Sequence, residues 1–338
     1  MLSILEEINN LKDEEWDYYN RTSEFPNQKI NNWNIKEKHK KFIDNFLRLS
    51  GKMDINISFE NILDNFERNI HTNSVFFLGC LFYKELGFQD KISFIRDDRD
   101  EFHFIWFLTS LIHDFGYKIE KNKEKYDGIT EDIESFKKYF SINNDLLKES
   151  LNSSSENMQK LIADINEYYK KRFNGSIGRD RNGKIDHGIA SGLILYNSLV
   201  KNRKKMKEQH GDIDEKHNLY WGDELDEFYK ISAYSIAVHN IRREDNDLKF
   251  SIEENPFLFL FWLTDTIEPT KCFNCCNPQY VLENIIIKFH DNKKGFTIKN
   301  KENSELDFTK YKKNIEDLIK FLDINVKTDN IKEFVLSL

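Results

Sequence analysis

Six side chains able to bind a divalent metal recur along this chain in one kind of setting. His71, His113, His187 and His239 each stand at the end of an apolar stretch with helical spacing. Asp114 follows His113 directly, and Asp265 lies inside Phe261-Trp262-Leu263-Thr264-Asp265-Thr266-Ile267. An unpaired carboxylate in an apolar helix is costly, so Asp265 requires a cation or strong donors. Neutral imidazoles and carboxylates are the usual ligands of first-row divalent metals. Adjacent helical residues point about 100° apart, so a metal lying off a helix end can take both members of a His-Asp pair. Singly, each residue reads as a hydrogen-bonded core group, a cap or a salt-bridge partner. Six in the same setting read as a ligand set.

The elements that must carry these residues follow from periodicity. Val75, Phe76, Leu78, Leu81 and Phe82 recur at helical spacing after His71, and Phe102, Ile105, Trp106, Thr109 and Ile112 run into His113. The pattern resumes at His187 with Ile189, Leu193 and Leu195, then over 231–241 and 257–267. Four prolines in 338 residues leave long helices uninterrupted. The expectation is a mainly α chain in three parts. Residues 1–57 form an N-terminal helical region with a turn at Glu24-Phe25-Pro26-Asn27. Residues 58–280 form the ligand-bearing helical domain, interrupted over 118–186 by a charged helical insertion. Its helices are expected near 130–140 and 156–171, with a Gly-rich loop over 173–184. Residues 281–338 form a small α+β unit. There, Ile285-Ile286-Ile287-Lys288-Phe289 and Gly295-Phe296-Thr297-Ile298 pair around Asp291-Asn292-Lys293-Lys294, followed by a helix over 311–322 and strands near 324–326 and 334–336.

The ordered set resembles the HD-domain metal-dependent phosphohydrolase superfamily over about 200 residues, from Arg68 to Lys271. Glu67-Arg68-Asn69-Ile70-His71-Thr72 resembles that family's first histidine segment. Leu108-Thr109-Ser110-Leu111-Ile112-His113-Asp114-Phe115-Gly116 resembles its apolar helix ending in His-Asp-x-Gly. Asp186-His187-Gly188-Ile189-Ala190-Ser191-Gly192 resembles the third-histidine helix of two-metal members, whose small residues allow close packing. Trp262-Leu263-Thr264-Asp265-Thr266 resembles the terminal aspartate helix. The resemblance implies an HD-domain helical bundle in which His71, His113, Asp114 and Asp265 hold one metal. Asp114 then bridges to a second metal completed by His187 and His239, which places Asp114, His187 and His239 at the reacting centre. It further implies two divalent ions (Mn, Fe, Mg, Co, Ni or Zn) and in-line attack on phosphorus by an activated water. The expected substrate is a small-molecule phosphate ester or phosphodiester, most plausibly of a nucleotide.

The chain departs from the family at one position. Where many members carry a phosphate-binding lysine after His-Asp-x-Gly, this chain has Tyr117, with Lys118 one residue later and rotated by about 100° on a helix. Substitute phosphate binders are Arg242 and Arg243 after His239, Lys271 after Asp265, and Arg179 and Arg181 in the Gly-rich loop. Two rival readings use the same residues: a di-iron oxygenase of small molecules, and a nucleotide sensor that contacts a protein partner through the insertion or the C-terminal unit.

Composition narrows the classes. With 50 basic and 58 acidic side chains, a net charge of -8 argues against extended nucleic-acid binding. The first residues lack a secretory leader's basic flank and apolar core, and the apolar run over 257–263 is far shorter than a membrane span. The expected location is therefore cytoplasmic, with no membrane partner. Four cysteines make no disulfide framework, and Cys272-Phe273-Asn274-Cys275-Cys276 lacks the second pair that closed zinc sites use. His103 is expected to be packed, or to sit one layer from the metal site. His39, His210 and His217 lie in charged stretches and are expected in solvent. The 28 phenylalanines fall mostly at core spacing.

Overall fold

The structure is a computed structural model that describes residues 2–11, 32–52, 66–96, 99–117, 187–217, 219–240, 251–253, 255–273, 276–330 and 333–338. The expected turn at 24–27, the insertion over 118–186, and Arg179, Arg181, Arg242 and Arg243 lie outside the described residues.

In chain order the described elements are β1 (Leu2–Ser3), α1 (Ile4–Asn10), α2 (Lys36–Leu49), α3 (Phe66–Glu85), β2 (Ile95–Arg96), β3 (Arg99–Asp100), α4 (Phe102–Ile112), α5 (His187–His210), β4 (Ile213–Asp214), β5 (Leu219–Tyr220), α6 (Leu225–Val238), α7 (Pro256–Ile267), α8 (Pro278–Asn284), β6 (Ile285–Phe289), β7 (Gly295–Asn300), α9 (Thr309–Leu318), β8 (Asn325–Asn330) and β9 (Glu333–Ser337). The molecule is mainly helical with small antiparallel sheets. Among the described residues, no helix is long and apolar enough to cross a membrane. The chain divides into two compact units. The first comprises Met1–Asn45, Phe66–Ser110 and Arg242–Leu338; the second comprises Phe46–Asn65 and Leu111–Ile241.

In the first unit α4 and α7 are apolar on nearly every face, as helices enclosed by other elements must be, and α3 is buried from Ile70 to Tyr83. Phe76, Phe77, Phe82, Trp106, Phe257, Phe259 and Phe261 are all buried. The Trp106 ring meets Phe257 and Phe261 edge-on, and its Nε1–H donates to the Phe76 carbonyl at 2.9 Å. That bond lets a large ring enter the core with its polar atom satisfied. Each such aromatic contributes about 1.5–3 kcal/mol on burial. Helix α7 starts where Asn255 Oδ1 accepts from the Leu258 N–H at 3.1 Å, with Pro256 in the first turn. It stops at Glu268, whose φ/ψ of -60°/118° is extended, because a residue preceding proline disfavours helical geometry.

The five-stranded antiparallel sheet of this unit has the order β1-β6-β7-β9-β8. Its register pairs Ile287 with Ile298 and Phe296 with Leu336, so Ile285, Ile287, Phe296, Ile298, Phe334 and Leu336 fall on one buried face. The two-residue strand β1 joins the sheet's edge, and Ser3 then caps α1 through a reciprocal capping box with Glu6. Helix α9 buries Tyr311, Ile315 and Leu318. The Tyr311 hydroxyl donates to the Ile267 carbonyl at 2.6 Å, tying α9 to the last turn of α7.

The same unit corrects the reading of His39, which is buried and not solvated. Its Nε2–H donates to the Trp33 carbonyl at 3.0 Å, and Nδ1 accepts from Asn73 Nδ2 at 3.1 Å. Burial holds its pKa at about 4, against the Trp33 hydrogen bond. His103 packs among the Tyr83 and Phe102 rings. Buried Cys272 accepts from Asn314 Nδ2 at 3.1 Å.

In the second unit α5 and α6 pack closely because position 192 is glycine. A Cβ there would stand 2.4 Å from the Ala233 carbonyl oxygen. Farther along α5, Arg203 donates from Nε and Nη2 to the two oxygens of Asp226, both at 2.7 Å, and from Nη1 to Asp223 at 2.6 Å. His217 and His210 are exposed, as expected. Their Nδ1 atoms stand 2.9 and 3.7 Å from Oδ2 of buried Asp214.

Candidate metal centre

Helices α3 and α7 set His71 against Asp265, with Nε2 3.1 Å from Oδ1. Nδ1 of the same ring lies 2.6 Å from Oε2 of Glu268, which is fully buried. A carboxylate only accepts, so Nδ1 carries a proton directed at Glu268. Glu268 also accepts from the Thr270 N–H (3.0 Å) and the Thr270 hydroxyl (2.9 Å). Burial lowers the His71 pKa, but the Glu268 charge and the hydrogen bonds to Asp265 and Glu268 outweigh it and raise it to about 9. Burial likewise raises Glu268, but the His71 charge and these hydrogen bonds hold it below the ordinary carboxylate range. Lys271 Nζ donates to Asp265 Oδ1 at 2.7 Å.

His113, Asp114, His187 and His239 stand together in the second unit. Asp114 Oδ1 is 3.6 Å from His113 Nε2 and 3.8 Å from His187 Nε2. His187 Nε2 faces His239 Nε2 at 3.2 Å. His239 Nδ1–H donates to the Ile236 carbonyl at 2.6 Å, so a neutral His239 presents a lone pair at Nε2.

The turn after α4 positions this group. The Gly116 N–H donates to Ser191 Oγ at 2.7 Å, and that hydroxyl donates to the His187 carbonyl at 2.8 Å. Position 116 must be glycine, because a Cβ there would stand 2.0 Å from the His187 carbonyl oxygen. Tyr117 stacks on the His187 ring, with centroids 3.7 Å apart and planes at 19°.

The donors fit divalent metal. In the second unit, ligand atoms of Asp114, His187 and His239 lie within 4.8 Å of one another. Two donors about 2.1 Å from one ion, subtending roughly 90–110°, stand roughly 3.0–3.4 Å apart. The His71–Asp265 and His187–His239 separations of 3.1 and 3.2 Å fall in that range. The group of Asp114, His187 and His239 could hold a divalent ion, and His71 with Asp265 offers two donors at ligand spacing in the first unit.

No protein-family model, curated protein or solved structure matches the chain.

Of the six predicted ligands, His71 and Asp265 stand together in the first unit, and His113, Asp114, His187 and His239 in the second. Of the predicted phosphate binders, Lys271 is placed beside Asp265, whereas Arg181, Arg242 and Arg243 are outside the described residues. Three contributors escape a reading of spacing alone: Glu268, Ser191 and the ring of Tyr117. The only local sign of Glu268 is a carboxylate directly before Pro269, three residues after Asp265.

Proposed function

We propose that the chain is an HD-type metal-dependent phosphohydrolase acting on a phosphate monoester or diester, most plausibly of a nucleotide. The single observation that carries this reading is the clustering of Asp114, His187 and His239 compactly enough for one ion. Bound divalent ions would supply Lewis-acid activation of water and charge neutralisation for in-line displacement at phosphorus. His71 and Asp265 would help to hold one ion, and Asp114, His187 and His239 the other. The Asp114 carboxylate stands 3.6 Å from His113 Nε2 and 3.8 Å from His187 Nε2, which supports its role as a ligand.

The chain's own residues orient the centre. The Ile236 carbonyl accepts from His239 Nδ1, which makes Nε2 the ligating atom of a neutral ring, and Ser191 with Tyr117 fixes His187. With Tyr117 stacked on a ligand, phosphate recognition falls to cations elsewhere. Lys271 is the placed candidate, and Arg181, Arg242 and Arg243 are the sequence candidates. The protein would act in the cytoplasm on a small molecule.

The test is hydrolysis of a panel of nucleoside phosphates and cyclic nucleotides with manganese under nitrogen. The reading expects turnover by the wild type and its loss in His113→Ala and Asp114→Ala, with folding retained. Undiminished turnover in both variants would refute the assignment. Turnover that instead consumes oxygen and requires iron would support di-iron oxygenation, which the same donors fit.

A further inference from the structure

We propose that Glu268 is a positioning residue for metal uptake: its carboxylate fixes the His71 imidazole with Nδ1–H bound and Nε2 directed at the ion shared with Asp265. The inference rests on the metal reading above and assigns a role to a residue outside the six ligands.

Three observations carry it. First, the chain forces the geometry locally. Pro269 ends α7, and Glu268, with extended backbone at that end, meets His71 Nδ1 three residues after Asp265. Second, the carboxylate is over-determined. It is fully buried, and it accepts from His71 Nδ1, the Thr270 N–H and the Thr270 hydroxyl. A buried carboxylate is costly unless charged or strong donors meet it, and each of these contacts meets that cost. Third, the two ring nitrogens of His71 have different partners. Nδ1 lies 2.6 Å from Glu268, whereas Nε2 lies 3.1 Å from Asp265, itself a ligand candidate. A histidine whose second nitrogen is held by a carboxylate is oriented toward the metal and made a stronger donor.

The His71–Glu268 pair could instead serve packing alone. The two roles separate in metal affinity. The full-length chain is stripped of metal and titrated with Mn2+ and with Co2+, the latter followed by its visible absorption. The E268Q variant keeps the shape of the side chain and removes its charge. The expected result is two dissociation constants in the wild type. In E268Q, one weakens by about 10–100-fold with a changed Co2+ spectrum, the other is unaltered, and the stripped protein melts normally. Unchanged constants in folded E268Q overturn the proposal, as does equal weakening at both sites.

Should E268Q fail to fold, T270V removes one hydrogen bond to the carboxylate from a half-buried position. Severalfold weakening at one site then supports the proposal, and two unchanged constants overturn it. A wild-type chain that takes up neither ion refutes the metal centre itself. A loaded wild type with an unaffected variant refutes only the role of Glu268.

Discussion

The backbone at Gly116 runs against His187 so closely that a Cβ would stand 2.0 Å from the His187 carbonyl oxygen. The turn bearing His113 and Asp114 is thereby locked to the first turn of α5, and Ser191 bridges the two backbones. Gly116→Ala cannot fit without moving one of them. The expected cost is about 2 kcal/mol or more of stability, together with weakened metal uptake by Asp114, His187 and His239. Thermal melting and metal titration check this. A variant that melts and loads like the wild type contradicts it.

Lys271 and the metal compete for Asp265 Oδ1, which the ammonium approaches to 2.7 Å. Lys271→Met removes a like charge from beside the cation. Because Lys271 is 30% exposed, solvent screening limits the effect to a few-fold tighter Mn2+ binding. If Lys271 also contacts substrate phosphate, KM rises by roughly tenfold in the same variant, as loss of a charge-assisted hydrogen bond requires. Opposite movements of metal affinity and substrate affinity are the signature. A fall in both, or no change in either, contradicts this account of Lys271.

His39 makes the fold sensitive to acid. It is neutral in the folded chain with a pKa of about 4, below the roughly 6.5 of an unfolded histidine. The unfolded chain therefore binds the extra proton between these values, and stability falls as pH drops from about 6.5 towards 4. The expected contribution is about 2–3 kcal/mol by pH 4.5. Urea unfolding of the wild type and His39→Gln at pH 7 and pH 4.5 isolates it, because the other titrating groups are common to both. The variant's stability should depend less steeply on pH, and parallel dependences contradict the assignment.

How much of this was legible in the sequence depended on the range of the interaction concerned. The helices bearing His71, His113, His187, His239 and Asp265 were legible because each has an apolar pattern longer than two turns. The small residues of α5 were legible as a close-packing surface, and Gly192 against Ala233 is that contact. The hairpin of β6 and β7 was legible because its apolar runs flank a polar turn. Strand β1 was not, since two residues show no alternation and its partner Ile287 is 285 positions away.

His39 was misread because Lys38, Lys40 and Lys41 surround it, although Phe42, Ile43 and Phe46 share its helical stripe. Glu268 was missed for a different reason. Its partner His71 is 197 residues away, and a carboxylate at a helix end is ordinarily solvated.

Metal content per chain tests the proposed binding of two divalent ions most directly. Mass spectrometry of anaerobically purified wild-type protein is expected to find about two first-row ions per chain, with loss of metal in Asp114→Ala. A wild-type chain that carries no metal, even after reloading with manganese, iron and zinc, would contradict the account.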